Sequence, residues 1–305
     1  MENLIKAVYA CLPVIFDESG KIVYEDLESV INFAIHSGVH GLVTMDLNSE
    51  YFTLLDDERQ AIVEFVLRTV DGRVPVVVSV TDTNTFGCIR WAKHAEACGA
   101  AAVLAMPNFF LTQSTEKICQ LFAALDCEVS IPIMLHSAPA FHGDSIDPLL
   151  QRQIIADSRN IHYVRTEYYE AQEFLSKSLK AMADLPSGKF LGAAIGQNCA
   201  TMFHDYLRGA TIFMPSCEYA DLYVSLYNLL EAGNLDEAYA LYEQMAPIIL
   251  MEVNYFRDAM KHILKWRGIT NNTGIREEYV LRYDKYSFDT LREGLDRVRP
   301  LLTIK

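Results

Sequence analysis

Arg165 lies in the segment NIHYVRTEYY (residues 160–169) and is a charged residue inside a short apolar stretch. The stretch predicts a buried strand that runs out into a loop. A guanidinium keeps its positive charge at physiological pH and binds a carboxylate through two parallel hydrogen bonds. Arg165 therefore indicates a site for a small carboxylate. The alternative is a structural ion pair with a neighbouring carboxylate, such as Asp46 or Glu167.

His136 ends a second apolar run, in the segment IPIMLHSAP (residues 131–139). An imidazole with a pKa near ~6.5 can act as a general acid or base. With Asp46 at another predicted strand end, the two side chains would form an acid/base pair suited to enolisation, hydration or a retro-aldol step. The alternative for His136 is a hydrogen bond to a nearby carbonyl or to Ser137.

Neutral polar side chains follow several of the predicted strands. They would form a hydrogen-bonding lining for a polar small molecule, and they fit a water-filled pocket equally well. The lining residues are Ser79, Thr81, Asn48, Ser137, Gln197 and Asn198. The catalytic residues predicted from the sequence are His136 and Asp46, and the predicted substrate-binding residues are Arg165, Asn48, Ser137, Gln197 and Asn198.

Motifs for other chemistry are absent from the sequence. There is no Walker-type glycine loop, H-E-x-x-H, G-x-S-x-G or aspartate cluster with metal-ligand spacing, and LGAAIGQN (191–198) is not a dinucleotide fingerprint. The 7 cysteines are scattered, without a C-x-x-C pair. We therefore expect no metal, no cofactor and no disulfide framework. The free cysteines indicate that the protein resides in a reducing compartment.

The composition limits the class of partner. The 305 residues carry a formal net charge of -14, which argues against a nucleic acid or an anionic membrane as partner. The N-terminal residues do not resemble a signal peptide, and no apolar run reaches about 18 residues. We expect a cytoplasmic protein whose partner is a small carboxylate-bearing metabolite.

Eight short apolar runs recur along the chain and alternate with amphipathic segments. Runs rich in Val, Ile, Leu and Ala are typical of strands buried on both faces. The runs span residues 8–16, 40–45, 74–80, 101–106, 131–136, 161–166, 189–195 and 210–215. The alternation predicts an α/β fold, a (β/α)8 TIM barrel with additional C-terminal helices. A doubly wound open sheet is the main alternative.

The segments between the runs predict helices. Residues 24–38, 56–72 and 85–99 each close on a glycine, which is a common helix stop. Residues 219–267 are helical in pattern and contain a helix–turn–helix joint, EAGNLDEA. We therefore expect a barrel over residues 1–217 and a helical extension packed on it over residues 218–305.

Several segments together resemble the dihydrodipicolinate synthase / N-acetylneuraminate lyase family. They are FDESGKIVYEDLESVINFAIHSGVHGLV, EYFTLLDDERQAIVEFVLRTVDGRVPVVVSV, AKHAEACGAAAVLAMPNFF, IPIMLHSAP, MKHILKWRGI and TGIR. Their order and spacing over roughly residues 7 to 280 carry the resemblance. It implies a TIM barrel, commonly a tetramer built from dimers, that condenses or cleaves 2-oxo acids through a Schiff-base lysine. For this chain we expect a homotetramer or homodimer.

The family's functional residues mostly do not carry over. By the resemblance, the lysine position falls on Arg165 and the proton-relay tyrosine position on His136. The G-T-T-G-E motif reads Asp46-Leu47-Asn48-Ser49-Glu50, in which only the glutamate is kept and is expected to be structural. A substrate-binding arginine position falls on Phe141. A paired-tyrosine segment reads PNFF (107–110), which has no hydroxyl.

A Schiff base requires a primary amine that can lose its proton, and arginine does not supply one. Other lysines are predicted to lie away from the site. Lys177 and Lys180 fall in a predicted outer helix, Lys189 at the start of the seventh strand, and Lys261 and Lys265 in the C-terminal helices. Three hypotheses remain: a lyase or hydro-lyase that acts without a Schiff base, an inactive protein that binds a small acid or regulates a partner, and a lyase that uses another lysine.

Overall fold

The computed structural model describes residues 5–107, 113–138, 146–167, 171–276 and 284–304, without the side chains of residues 171 and 254–256. Phe141 and residues 108–110 of the PNFF segment lie outside the described residues. The site predictions that involve these positions stay predictions.

Eight parallel strands close into a barrel in the order β1 to β8. Each predicted apolar run overlaps one strand, which confirms the predicted (β/α)8 architecture. The strands are β1 Ala7–Cys11, β2 Gly41–Thr44, β3 Val76–Ser79, β4 Ala102–Ala105, β5 Ile133–Ser137, β6 Ile161–Thr166, β7 Gly192–Ile195 and β8 Ile212–Phe213.

The helices follow the predicted alternation, and the additional helices come after β8. They are α1 Tyr24–His36, α2 Asp56–Val70, α3 Thr85–Ala97, α4 Thr115–Glu128, α5 Pro148–Asp157, α6 Ala171–Met182, α7 Met202–Arg208, α8 Ala220–Glu231, α9 Leu235–Trp266 and α10 Lys285–Val298. The glycines that were predicted to stop the first three helices, Gly38, Gly72 and Gly99, all have positive φ. Glycine is the residue that adopts this conformation without steric cost.

The chain divides into two compact units. The first comprises the described residues of Met1–Ala7, Pro75–Gln197 and His204–Phe213, and it contains β3 to β8. Its strands are buried because they are built from apolar side chains, among them Val77, Val103, Leu104, Ile133 and Val164. In this unit His136 on β5 lies directly beside Arg165 on β6 in the strand register.

The second unit comprises Val8–Val74, Asn198–Phe203 and the described residues of Met214–Lys305. It contains most of β1, all of β2, and the helices α8 to α10. Buried polar contacts anchor its helices: the Arg267 guanidinium donates to both oxygens of Asp221, at 3.0 and 2.9 Å. The predicted boundary between a barrel (1–217) and an extension (218–305) stays a prediction.

Candidate functional site

Arg165 and Glu167 lie on the same face of β6 and its continuation, because alternate residues of a strand point to the same side. Both side chains are buried, with 5% and 4% of their surface exposed. Arg165 Nη2 donates to Glu167 Oε1 at 2.6 Å. Of the interpretations open at the sequence level, an ion pair between Arg165 and Glu167 is therefore present.

His136 contacts the other oxygen of the same carboxylate. The imidazole is 2% exposed, and its Nε2 lies 3.2 Å from Glu167 Oε2. The backbone N–H of Gln197 donates to Glu167 Oε1 at 3.2 Å. Glu167 thus joins three residues that were predicted to belong to the site, although Glu167 itself was considered only as an ion-pair partner of Arg165.

The charge of Glu167 follows from these contacts. Burial removes water from the carboxylate and by itself would raise its pKa. The positive charges of Arg165 and His136, together with the close His136 contact and the hydrogen bond from Gln197, outweigh this effect and lower the pKa of Glu167 to about 2. Glu167 is therefore a carboxylate at neutral pH and fixes the guanidinium at the C-terminal end of β6.

Gly196 leaves the space that the Glu167 carboxylate fills. A Cβ added at Gly196 would lie 1.7 Å from Glu167 Oε1, a distance that no pair of heavy atoms tolerates without bonding. The short segment from β7 to Gln197 therefore supplies both this space and a backbone donor. We refer to Arg165, Glu167 and His136 as the Arg165 cluster.

Ser137 has a structural contact in the structure. Its hydroxyl accepts a hydrogen bond from the Ile146 N–H at 3.0 Å, and its carbonyl accepts one from the Glu167 N–H at 3.0 Å. The second contact ties the end of β5 to Glu167. Ser137 thus supports the position of the cluster, while its predicted role in binding substrate stays a prediction.

The remaining predicted site residues lie in the second unit. Asp46 Oδ1 accepts a hydrogen bond from the Asn48 N–H at 3.0 Å, which caps a turn of 3-10 helix at Leu47–Ser49. Asn48 Nδ2 donates to Ser216 Oγ at 3.3 Å, and the Ser216 N–H donates to Asn198 Oδ1 at 2.8 Å. Ser216 therefore connects Asn48 with Asn198.

Asn198 is extensively hydrogen-bonded within this unit. Besides the Ser216 contact, its Nδ2 donates to Glu252 Oε2 at 2.7 Å, and its carbonyl accepts from the Tyr223 hydroxyl at 2.5 Å. Its φ of 50° lies in the left-handed region, which is uncommon outside glycine but is best tolerated by asparagine. These contacts stabilise an otherwise strained turn.

Lys261 is a buried lysine, 0% exposed, on α9. Its ammonium hydrogen-bonds to Glu50 and donates to the Gly274 carbonyl at 2.8 Å. Burial lowers its pKa to about 8, although the charge of Glu50 acts in the opposite direction. Glu50 was expected to be structural, and this contact ties the loop after β2 to α9.

Lys177 lies on α6, as predicted, and forms an exposed ion pair with Glu173 at 2.8 Å. Lys180 lies on the same helix and Lys265 on α9.

Among the helices that the structure describes, none is both long enough and apolar enough to cross a membrane.

Comparison with known proteins gives a consistent assignment. A family model described as "Dihydrodipicolinate synthetase family" matches residues 4–180. An L-2-keto-3-deoxyarabonate dehydratase from Azospirillum brasilense is 27% identical over 247 residues, which cover 80% of this chain and 78% of that protein. A 4-hydroxy-tetrahydrodipicolinate synthase from Bacillus subtilis is 30% identical over 171 residues, or 56% of this chain and 58% of the synthase.

Solved structures share the fold over nearly the whole chain. A prophage protein of the dihydrodipicolinic acid synthase family from E. coli K12, determined in complex with pyruvate, superposes with a TM-score of 0.89 at 21% identity, covering 97% of this chain and 99% of that one. A dihydrodipicolinate synthase from Thermotoga maritima superposes with a TM-score of 0.87 at 20% identity, covering 96% and 98%. Since the family model matches more than half of the sequence, the chain belongs to the dihydrodipicolinate synthetase family.

Proposed function

We propose that this protein binds a small 2-oxo acid or sugar acid non-covalently at the C-terminal ends of the barrel strands, with Arg165 as the group that binds the ligand carboxylate. The observation that carries the proposal is the buried Arg165 cluster, which has a permanently charged guanidinium beside an imidazole. In TIM barrels this end of the strands forms the active site.

The chemistry of the guanidinium supports binding over imine formation. Arginine is always protonated in proteins and is a poor nucleophile, so Arg165 does not form a Schiff base. Its planar group has five N–H donors and recognises carboxylates in a fixed geometry. Glu167 orients this group from one side, and such pre-orientation reduces the entropy lost when a ligand binds.

The relatives supply a substrate class for this proposal. The Azospirillum brasilense relative is named for a 2-keto-3-deoxy sugar acid, and the E. coli structure was determined with pyruvate. Both ligands have a carboxylate next to a keto group. We therefore propose that the ligand has these two groups, and that the sugar-acid class is tested together with pyruvate.

His136 is the proposed acid or base if the protein is an enzyme. A histidine in contact with a carboxylate is oriented by it and is stabilised when it takes up a proton. Glu167 supplies this contact at 3.2 Å. With Asp46 as the second predicted catalytic residue, the proposed reaction is enolisation, hydration or retro-aldol cleavage, which a lyase or hydro-lyase would catalyse.

A second candidate is an inactive homologue that binds a small acid or regulates a partner. The observation that favours it is the ion pair itself: Glu167 already neutralises Arg165, as expected if the pair only fills space at the end of β6. A third candidate is imine chemistry at another lysine. Lys261 is poorly suited to this role, because its ammonium hydrogen-bonds to Glu50 and to the Gly274 carbonyl.

Ligand-induced stabilisation tests the binding proposal. A thermal-shift panel of pyruvate, other 2-oxo acids and aldonic acids should contain at least one acid that stabilises the wild-type protein. At a hundred times its dissociation constant, a ligand adds ~2.7 kcal/mol. Arg165→Ala should remove the stabilisation. Arg165→Lys should retain only part of it, because an ammonium cannot form the two parallel hydrogen bonds of the planar guanidinium. A flat panel, or equal shifts in wild type and Arg165→Ala, would exclude Arg165 as the binding group.

Borohydride trapping separates imine chemistry from the proposal. Wild-type protein treated with pyruvate and borohydride should keep its intact mass. A reduced pyruvate adduct on any lysine would support the third candidate instead. For an acid found in the panel, turnover that is lost in His136→Ala and kept in the matched exposed variant His36→Ala would favour an enzyme over the inactive homologue.

The predicted homotetramer or homodimer also stays a proposal. Light scattering coupled to size-exclusion chromatography measures the mass of the particle directly. A mass equal to one chain at micromolar concentration would contradict the prediction.

A further inference from the structure

Glu218 and Glu252 are two buried acidic residues outside the Arg165 cluster. Glu218 belongs to a turn of 3-10 helix, Cys217–Tyr219, that follows β8, and Glu252 lies on α9. Their side chains are 0% and 2% exposed. Carboxylates buried to this extent are normally paired with a cation or a metal, because burying an unpaired charge is costly.

Among the described residues, only one of the four oxygens of these carboxyl groups accepts a hydrogen bond of standard geometry. Glu252 Oε2 accepts from Asn198 Nδ2 at 2.7 Å. Among the residues that the structure describes, no hydrogen bond of standard geometry reaches the second oxygen of Glu252 or either oxygen of Glu218, although the Asn198 side chain and the Glu218 backbone N–H lie close enough to lower the pKa of Glu218. The two carboxyl groups are nevertheless within hydrogen-bonding contact of each other.

Such a contact is favourable only if a proton is present. An ionised carboxylate is an acceptor only, so two ionised groups in contact repel each other. With one proton, one group donates an O–H to the other. Because Glu252 Oε2 already accepts from Asn198, the proton is best placed between Glu252 Oε1 and Glu218.

Arg267, a charged neighbour of the pair, already forms an ion pair with another residue. Arg267 donates to the backbone carbonyl of Glu218, to both carboxylate oxygens of Asp221, and to the Ile304 carbonyl. Its guanidinium therefore forms its ion pair with Asp221, at 2.9 Å. It contributes a favourable field at Glu218 but does not replace the missing donor.

The other titratable groups around the pair are a thiol and two phenols from the same turn and from α8, together with one carboxyl from the loop after β2. Burial raises the pKa values of the thiol and of both phenols well above their usual range, so these groups are neutral at physiological pH. The thiol belongs to Cys217 and the phenols to Tyr219 and Tyr223, and the carboxyl group from the loop after β2 is that of Asp46.

We propose that Glu218 and Glu252 form a buried proton-binding site, in which a retained proton bridges the two carboxyl groups and couples the stability of the packing between α9 and the Cys217–Tyr219 turn to pH. The site takes a proton and no other ligand. It is independent of the proposed acid-binding function.

The direction of the pH dependence follows from linkage. Burial raises the pKa of Glu218 to about 7, and burial together with the charge of Glu218 raises the pKa of Glu252 well above its usual range. The folded protein therefore binds protons that the unfolded chain has released above about pH 4.5. The stabilisation is complete below this pH and decreases as the pH rises through about 7.

Urea unfolding between pH 5 and 8 tests the proposal. We compare wild type with Glu218→Gln/Glu252→Gln, in which amides replace both acids at almost equal volume. The folding equilibrium constant of the wild type should fall more than ~10-fold relative to that of the double variant over this range. Glu237→Gln, on the exposed part of α9, should follow the wild-type profile.

Two further measurements keep the proposal testable if the double variant does not fold. Infrared spectra of wild-type protein with isotope-labelled glutamate should contain a protonated carboxyl band at pH 7, and Glu252→Gln should lose intensity there. Absence of the band, or pH profiles that differ by less than 2-fold, would overturn the proposal. So would stabilisation by Na⁺ or K⁺ at constant ionic strength, because that result would place a cation between the carboxylates.

Discussion

Glu167 and Glu218 are buried to nearly the same extent, and each follows a barrel strand. The pKa values of their carboxyl groups are nevertheless shifted in opposite directions. Glu167 contacts a guanidinium and an imidazole, and its pKa is lowered to about 2. Glu218 contacts a second glutamate, and its pKa is raised to about 7. Burial raises the pKa in both places, so the difference arises from the neighbouring charges.

The two regions represent two ways of placing an acid inside a barrel protein. In the Arg165 cluster, the carboxylate compensates the positive charge of a buried guanidinium. In the pair on α9 and the Cys217–Tyr219 turn, a proton takes the place of the cation. The two regions should therefore respond differently when one partner is removed or when the pH changes.

The largest effect is expected from Glu167→Gln. The amide keeps the shape of the side chain but leaves Arg165 as a buried charge without its carboxylate. Breaking a buried ion pair from one side typically costs about 3–5 kcal/mol, and urea unfolding at pH 7 measures this loss. The matched change at an exposed ion pair, Glu173→Gln, should cost less than about 0.5 kcal/mol.

A second substitution sharpens this prediction. If the cost arises from the unpaired charge, Arg165→Leu combined with Glu167→Leu should recover much of the lost stability, because replacing a whole buried pair with apolar residues is often neutral. If the double variant is as unstable as Glu167→Gln, the loss has another origin, such as the contact with the Gln197 backbone.

The pH dependence of unfolding provides the next largest effect. The pKa of Glu167 is about 2 in the folded protein, against an ordinary value of 4.5. Its contribution is present above pH 4.5 and is lost as the pH falls toward 2, and the difference corresponds to roughly 3 kcal/mol. Glu167→Gln should therefore lose less stability than wild type on acidification.

The same titration distinguishes the two regions. Between pH 4.5 and 7 the Glu218–Glu252 pair should lose stability with rising pH, whereas Glu167 is already fully ionised and contributes no slope. An acid limb that is identical in wild type and Glu167→Gln would contradict the low pKa of Glu167.

Gly196→Ala should have an intermediate effect. The new methyl group would overlap Glu167 Oε1, which must move together with its contacts to Arg165 and His136. Overpacking of this kind typically costs about 1–3 kcal/mol. In a Glu167→Ala background the same substitution should cost little, since the overlapping atom is gone. Equal costs in both backgrounds, measured as a double-mutant cycle, would show that Glu167 is not the obstacle.

Part of this arrangement could be predicted from the sequence. The spacing of apolar runs predicted eight strands, and it placed Arg165 and His136 at the ends of two of them, which the structure shows to be neighbours. The alternation of side chains along a strand also contained a signal for Glu167, two residues after Arg165, but it was not used to place Glu167 in the site.

Other contacts had no local signal. Lys261 and Glu50 are 211 residues apart in sequence, and Asn198 and Glu252 are 54 apart. Glu218 and Glu252 look like surface charges in an amphipathic helical pattern, because such a pattern does not reveal which polar residue faces inward. The need for glycine at position 196 likewise depends on the position of a side chain from another strand.

The smallest effect is expected at the turn that Asn198 forms beside the acidic pair. Tyr223→Phe removes the hydroxyl that donates to the Asn198 carbonyl at 2.5 Å and leaves this buried acceptor without that donor. The expected loss is about 1 kcal/mol, as is usual for a neutral hydrogen bond. Tyr286→Phe, at a position that is 80% exposed, is the matched control and should leave the unfolding free energy unchanged. If the acidic pair and this turn form one network, the loss should be smaller in a Glu252→Gln background, because an amide then replaces the carboxyl group that accepts from Asn198 Nδ2. Strictly additive costs would indicate that the hydroxyl and the carboxyl pair act independently.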